Sequence, residues 1–444
     1  MSAVPLTRRA VFSQAWPIIL GQALVPTVGL VDATIIGRTG DPEALAGVAL
    51  GATVVTLIFW TFGFLRMGIT GLTAQASGAG EDGEVLALLL RGVVAGVGIG
   101  AVLTLLHPLF LPLVFDVMAA PPPVETPASA FANARMFGAP GALGAFAING
   151  WLIGLGRTRA ALGVQIVMNG ANIALDMVLV WGFHLGALGV GIGTASAEWI
   201  ALLWGALICL RVVGPGWRIR LAALDRAALF ARAAMIRLFA VNADLMIRTL
   251  ALLTLFTWFT HAGARLGAVS LAGNHVLMQF VSLSAFVLDA FAFTAESRVG
   301  MAVGARSLPD FRRAIRLTAE MSVVTGAAFA LLFLAVGYPF VRFIAADEGT
   351  RAAAHAMLPY AALIPLIGAP SWLLDGIFVG ATQGRAMRNA AVVVTALYLA
   401  TDWLLRPLGN HGVWIALLAS YVYRAATLLL SFPGLQRRTG LIAA

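Results

Sequence analysis

Long uncharged stretches recur through this chain from end to end, and they constrain its fold more than any other feature. Val11 to Val31, Ala44 to Leu65, Gly92 to Phe115, Leu266 to Leu288, Met321 to Val341 and Ala352 to Leu374 each run without Asp, Glu, Lys or Arg. An α-helix needs about 20 apolar residues to cross a hydrocarbon core. Backbone groups in lipid must also bond within the protein, which favours helices. A single run of this kind is an anchor; this many is an all-α membrane bundle. The composition agrees, with 60% of 444 residues hydrophobic and 11% charged, against roughly 25% charged in soluble domains. The first run lacks a small-residue cleavage site and continues past Pro17 and Pro26 into Asp32, so it reads as a permanent helix.

Twelve spans are expected, near residues 11–37, 44–75, 85–115, 128–154, 158–182, 186–210, 228–261, 266–297, 311–345, 352–380, 386–406 and 411–432. The net charge of +9 is carried by 29 arginines and no lysine. That balance would suggest nucleic acid if it formed a soluble patch. Instead the arginines collect at one set of span ends: Arg8, Arg9, Arg91, Arg157, Arg159, the Arg211–Arg237 and Arg298–Arg316 regions, Arg385, Arg388, Arg437 and Arg438. The other ends hold Arg38, Arg265, Arg342, Arg351 and Arg406. The positive-inside rule then puts both termini in the cytoplasm, and the expected location is multi-pass in a bacterial inner membrane. The expected partner is the bilayer, with no nucleic acid, and the expected state is a monomer. The lone Cys209 rules out a disulfide framework.

Sliding the chain on itself by 226 residues brings like on like. Leu45-Ala46-Gly47 meets Leu271-Ala272-Gly273, Gly78-Ala79 meets Gly304-Ala305, Asn149-Gly150 with Gly154 meets Asp375-Gly376 with Gly380, and Asp176 meets Asp402. The expected organisation is an N-lobe at 1–210, a cytoplasmic linker at 211–226 carrying Gly214, Pro215 and Gly216, and a C-lobe at 227–444. An even number of spans per repeat sends both lobes into the membrane in the same direction, related by a pseudo-two-fold axis along its normal.

A carboxylate at mid-span costs roughly 2.5 to 3.5 kcal/mol on insertion scales, so each one requires a partner, a cavity or an ion. Asp32, Asp176, Glu198, Asp244, Asp289, Glu296, Glu320, Asp375 and Asp402 all fall within spans. Depth brings Asp32 on span 1, Asn172 and Asp176 on span 5, and Thr194 on span 6 to one level. Two carboxylates side by side in low dielectric can share a proton or hold a small cation such as sodium, with Asn and Thr oxygens completing the shell. The competing reading is a satisfied hydrogen-bond network that only locks helices together. Pro17 and Pro26 each remove a backbone hydrogen bond and favour a bend in span 1.

In the second half, Asp244 and Arg248 stand one turn apart on span 7 and are expected to neutralise each other or to line a cleft. Asp375, Asp402 and Arg424 are candidates for a further polar cluster or a substrate contact, as is Asn149. Trp60, Phe64, Trp151 and Trp258 are aromatic candidates for the cleft. Gly92, Gly96 and Gly100 follow the small-xxx-small pattern of close helix packing. The glycine runs at 96–100 and 189–193 lack a following Lys-Ser/Thr and support no nucleotide site. The six histidines show no metal-enzyme spacing, and no nucleophile–base pair is legible, so no metal, no catalytic residue, no cofactor and no enzyme activity is expected.

Several of these segments together resemble the multidrug and toxic compound extrusion (MATE) family and its DinF-type branch. They are Gly63-Phe64-Leu65-Arg66-Met67-Gly68 followed by Thr70-Gly71-Leu72-Thr73-Ala74-Gln75, Val31-Asp32, Asn149-Gly150 before Gly154, Gly156 and Arg157, Asn169 to Asp176, and Asp375-Gly376 before Gly380. The resemblance implies twelve helices in two six-helix lobes and export of organic compounds, cationic or amphipathic, in exchange for protons or sodium ions. It also implies an ion-coupling site at Asp32, Asn172, Asp176 and Thr194, with Pro17 at the helix bend. Val28 departs from the family pattern, standing where a tyrosine is frequent. The rival transport reading is a flippase for lipid-linked precursors of the same wider superfamily.

Overall fold

The computed structural model describes residues 6–222, 224 and 229–441. The end of the expected linker at 223, 225 and 226, the expected start of span 7 at 228, and the chain ends at 1–5 and 442–444 lie outside the described residues. The helices in chain order are α1 (Arg8–Gly37), α2 (Pro42–Thr61), α3 (Phe64–Gly78), α4 (Asp82–Met118), α5 (Pro122–Met136), α6 (Ala139–Gly154), α7 (Thr158–Asp176), α8 (Gly186–Val213), a short α9 (Trp217–Ala222), α10 (Arg232–Ala264), α11 (Ala268–Gly304), α12 (Leu308–Ile344), α13 (Glu348–Gly380), α14 (Gly384–Leu405) and α15 (Asn410–Arg438). Among the described residues eleven helical segments are long and apolar enough to cross a membrane, and a bent pair brings the number to twelve.

Starts and stops follow local chemistry. Asp41 caps α2 by accepting from the Glu43 and Ala44 amides at 3.0 and 2.9 Å, and Asp347 caps α13 through the Thr350 amide at 2.7 Å. The Thr350 amide and hydroxyl hold the Asp347 carboxyl below its ordinary range. The fourth span is not one straight helix: α5 and α6 meet at 54° across Phe137 and Gly138. Pro140 has no N–H for the Met136 carbonyl, and the Thr104 hydroxyl donates to that carbonyl at 2.7 Å instead. The Trp199 indole donates to the Phe137 carbonyl at 2.9 Å. Both groups freed by the break are thus satisfied from neighbouring helices, as a lipid environment demands.

The chain forms two compact units. The first comprises Leu20–Thr73 and Glu81–Phe239, and the second Met1–Ile19, Ala74–Gly80 and Ala240–Ala444. Helix α1 runs without interruption through Pro17 and Pro26 and contributes to both. Its first half buries Val11, Ala15 and Ile18 with Ala290 and Phe291 of the second unit, where Arg298 also donates to Gln14 at 2.7 Å. Its second half is tied within the first unit, where Asn169 donates to the Leu24 carbonyl at 3.0 Å and Trp181 to the Ile35 carbonyl at 3.1 Å.

Small residues set the packing. A Cβ on Gly96 would meet the Leu143 carbonyl at 2.5 Å, Gly100 is similarly closed against α6, and Gly92 is closed by Ile69 of α3 and Ala147 of α6. This is the close approach that apolar solvent rewards through contact rather than through water release. The opposite face of α4 turns outward, with Leu105, Leu109, Leu113 and Val117 exposed at four-residue spacing and Val117 at 86%. The repeat is visible in these contacts. Gly47 closes on Pro127 and Ala128, and Gly273 on Ala353 and Ala354; Gly150 closes on the Arg66 carbonyl, and Gly376 on that of Ala292. Every one of these partners is displaced by the same 226 residues.

Candidate functional site

Asp32, Asn172, Asp176 and Thr194 converge in the first unit, all buried. Helix α1 supplies Asp32, α7 supplies Asn172 and Asp176 one turn apart, and α8 supplies Thr194. Asn172 Nδ2 donates to Asp176 Oδ2 at 2.9 Å and to Thr194 Oγ1 at 3.0 Å. Thr194 in turn donates to the Val190 carbonyl at 2.9 Å. The Asp32 and Asp176 carboxyl groups face each other within hydrogen-bonding reach. Such a contact is attractive only when a proton or a cation lies between the two oxygens.

Backbone geometry seats Asp176. It is the last α-helical residue of α7, and the chain then widens into a π-helical turn at Met177–Gly182, a departure that is uncommon and concentrated at functional sites. Opposite it, a Cβ on Gly193 would overlap Asp176 Oδ1. The carboxyl therefore rests on bare backbone of α8.

Beside this pair lies an ion pair that the sequence reading did not connect to it. Arg135 on α5 bonds Glu198 on α8 at 2.7 Å, and its charge also reaches Asp32 and Asp176. The guanidinium lies 5.7 Å from the Phe59 ring centroid, and Glu198 Oε2 presses on Gly138 at the break between α5 and α6. Five buried polar atoms here have no hydrogen-bond partner: Asp32 Oδ1, Asn172 Oδ1, Asp176 Oδ1, Glu198 Oε2 and Arg135 Nε. All but the last are acceptors. The cluster holds more acceptors than donors, and its three carboxyl groups face one guanidinium.

The second unit departs from expectation in its pairings. Asp244 and Arg248 do not neutralise each other. Asp244 bonds Arg388 at 2.8 Å, while Arg248 reaches across to Asp375, because each has an oppositely charged partner on a neighbouring helix. Arg424 bonds Asp375 as well, and Asp289 and Glu296 lie within charge range of Arg248. Asp402 stands apart from this group, held by Arg265 at 2.9 Å and by the Trp258 indole at 3.0 Å. Asn149 is half-buried on α6 and takes no part in the hydrogen bonds of either cluster among the described residues. Trp151 is buried in packing and donates to the Val85 carbonyl at 2.8 Å, which removes it from the cleft candidates.

The internal repeat gives these pairings a meaning. Adding 226 to Asp32, Asn172, Asp176 and Thr194 gives Trp258, Tyr398, Asp402 and Ser420. In the second unit, therefore, an indole N–H stands at the position equivalent to the Asp32 carboxyl and donates to Asp402. Glu198 maps onto Arg424, a reversal of charge. The offset that matches Asp176 to Asp402 also matches Asp32 to Trp258, which the sequence singles out only as an aromatic candidate for the cleft.

The MatE family model matches the chain twice, over residues 17–178 and 245–404. The chain is 33% identical to DNA damage-inducible protein F of Escherichia coli K12, over 96% of this chain and 92% of that protein. It is 24% identical to multidrug resistance protein MdtK of Edwardsiella ictaluri, over 97% and 96% respectively. The fold matches the Vibrio cholerae MATE transporter VcmN in its bent form with a TM-score of 0.86 at 17% identity, over 98% of both chains. A multi-pass helical chain with the MatE pattern in each half belongs to the MatE family of multidrug efflux transporters.

Proposed function

We propose that this protein is a secondary antiporter that exports organic cations or amphipathic compounds across the cytoplasmic membrane in exchange for protons, with Asp32, Asn172, Asp176 and Thr194 as the coupling site. The observation that carries the reading is the facing pair of buried carboxyl groups: one oxygen of each, with Asn172 Oδ1 and Glu198 Oε2, has no donor. A proton arriving there removes a charge from low dielectric. Helix α1 carries Asp32 beyond two prolines, so discharge at Asp32 is coupled to rebending of that helix about Pro17 and Pro26. Protonation shrinks or neutralises the substrate site, substrate leaves outward, and the proton leaves inward. In this reading the lobes at 1–210 and 227–444, joined through 211–226, are the bodies that exchange, both termini lie in the cytoplasm, and the working unit is a monomer. No cofactor is involved.

Sodium at Asp32 and Asp176 is the alternative coupling ion, since the same oxygens suit either. The second unit's arginine-bearing cluster at Arg248, Asp375 and Arg424 favours a second reading, in which an anionic lipid-linked precursor is flipped. Purified protein in liposomes separates these readings. Dye efflux that follows an imposed pH gradient at constant sodium supports the proposal, and efflux that follows only a sodium gradient at fixed pH replaces the proton by sodium. Headgroup translocation without dye efflux overturns the antiporter.

A further inference from the structure

A cavity of about 720 Å³ opens in the second unit, between the start of α14 and the end of α15. Its two walls are helix faces. On α14, Ala386, Asn389, Ala390 and Val393 recur at helical spacing; on α15, Thr427, Ser431, Gly434 and Leu435 do the same. Most of these side chains are small, so the helices stay in contact at their far ends yet leave a gap here. The volume falls within the roughly 300–1,000 Å³ of ordinary ligand sites.

The chemistry of the gap changes along its length. At the arginine-rich end of the bundle Arg385, Arg388 and Arg438 line it. Arg388 is already paired with Asp244 at 2.8 Å, whereas Arg385 and Arg438 are exposed and have no carboxylate in the described ion pairs. Further along, the lining becomes Val393 and Leu430, and Leu430 is 83% exposed on the outer surface of the bundle. One end thus offers positive charge and the other an apolar surface open to the hydrocarbon. The α14 N-terminus reinforces the basic end, because its capping position Gln383 makes no side-chain capping bond.

We infer that this cavity is a binding site for an anionic phospholipid, its phosphate at Arg385 and Arg438 and an acyl chain along Val393 and Leu430. Basic pockets between membrane helices recognise headgroups in this way, with each arginine worth about 1 kcal/mol near a charged surface. A soluble phosphate would use the arginines but gain nothing from a wall that faces oil, and a neutral lipid would gain nothing from the arginines. The site shares no residue with the proposed coupling cluster.

Native mass spectrometry of the full chain, released from detergent with defined lipids, tests the assignment. Phosphatidylglycerol should remain as a one-to-one adduct in preference to phosphatidylcholine. Combined Arg385→Gln and Arg438→Gln should weaken that adduct by about thirtyfold, two arginines' worth. Gly434→Trp keeps every charge and projects into open space, since a Cβ there meets nothing within 4 Å; it should block the adduct by filling the gap, and it provides the reading should the arginine variant fail to fold. Equal retention of the two lipids, an unchanged adduct in both variants, or displacement of the lipid by equimolar glycerol phosphate would each overturn the assignment, the last by identifying a soluble phosphate as the ligand.

Discussion

Replacing Asp32 by asparagine separates coupling from folding. The substitution is nearly isosteric, and the introduced amide can donate to Asp176 as the Trp258 indole donates to Asp402 in the second unit. The hydrogen bonds of the cluster survive while the exchangeable proton between the two carboxyl groups is lost. A hydrogen bond contributes about 0.5–1.5 kcal/mol net, so the change in stability should stay within that window. The change in transport is far larger. One pH unit supplies about 1.4 kcal/mol and 100 mV about 2.3 kcal/mol per charge. A proton entering for each neutral solute leaving uses both, about 3.7 kcal/mol, which sustains a concentration ratio of about 500. A proton entering for each monovalent cation leaving is electroneutral, so only the pH gradient acts and the ratio is about tenfold. Proteoliposomes with an ionophore-set potential and a fluorescent substrate measure this ratio directly. The unaltered protein should lie at one of these values, and Asp32→Asn should lose the part of the ratio that follows the pH gradient for either stoichiometry. A variant that melts normally and still reaches the ratio of the parent would refute the coupling role of the carboxyl pair.

Other substitutions test neighbouring parts of the same reasoning. Arg135→Gln leaves Glu198 buried without its counter-charge and should destabilise by about 3–5 kcal/mol; adding Glu198→Gln should restore most of that, as a double-mutant thermal melt would reveal. Gly193→Ala drives a methyl group into Asp176 and should cost about 1–3 kcal/mol by overpacking, with a matching fall in gradient-driven transport. Trp258→Phe removes the hydrogen held on Asp402, while Arg265 remains. It should lower stability by about 1–3 kcal/mol and leave the accumulation ratio unchanged, and a lost ratio would mean that the second unit also titrates.

The spans were legible because lipid imposes a length and an apolar content that few other environments demand. The convergence of Asp32, Asn172, Asp176 and Thr194 followed from depth alone, since each residue sits at the same distance along a helix that must cross. Pairings between helices were not legible. The i,i+4 spacing of Asp244 and Arg248 is visible in sequence, whereas the partner of Arg248 on α13 is not. Arg135 went unnoticed for a related reason: it lies beside the break at Phe137 and Gly138, where a span read as straight gives a wrong depth. The π-helical turn after Asp176 leaves no mark in Met177–Gly182 that distinguishes it from ordinary apolar helix.

The repaired break between α5 and α6 constrains how this chain can vary. Thr104 occupies the Met136 carbonyl only because Pro140 has no N–H to claim it. A residue with an amide at position 140 would compete for the same oxygen, and loss of the hydroxyl at 104 would strand it in oil. Trp199 stands in the same relation to Phe137. Positions 104, 140 and 199 are therefore not free to drift singly, and related sequences should carry threonine, proline and tryptophan there as an inherited set or exchange them together.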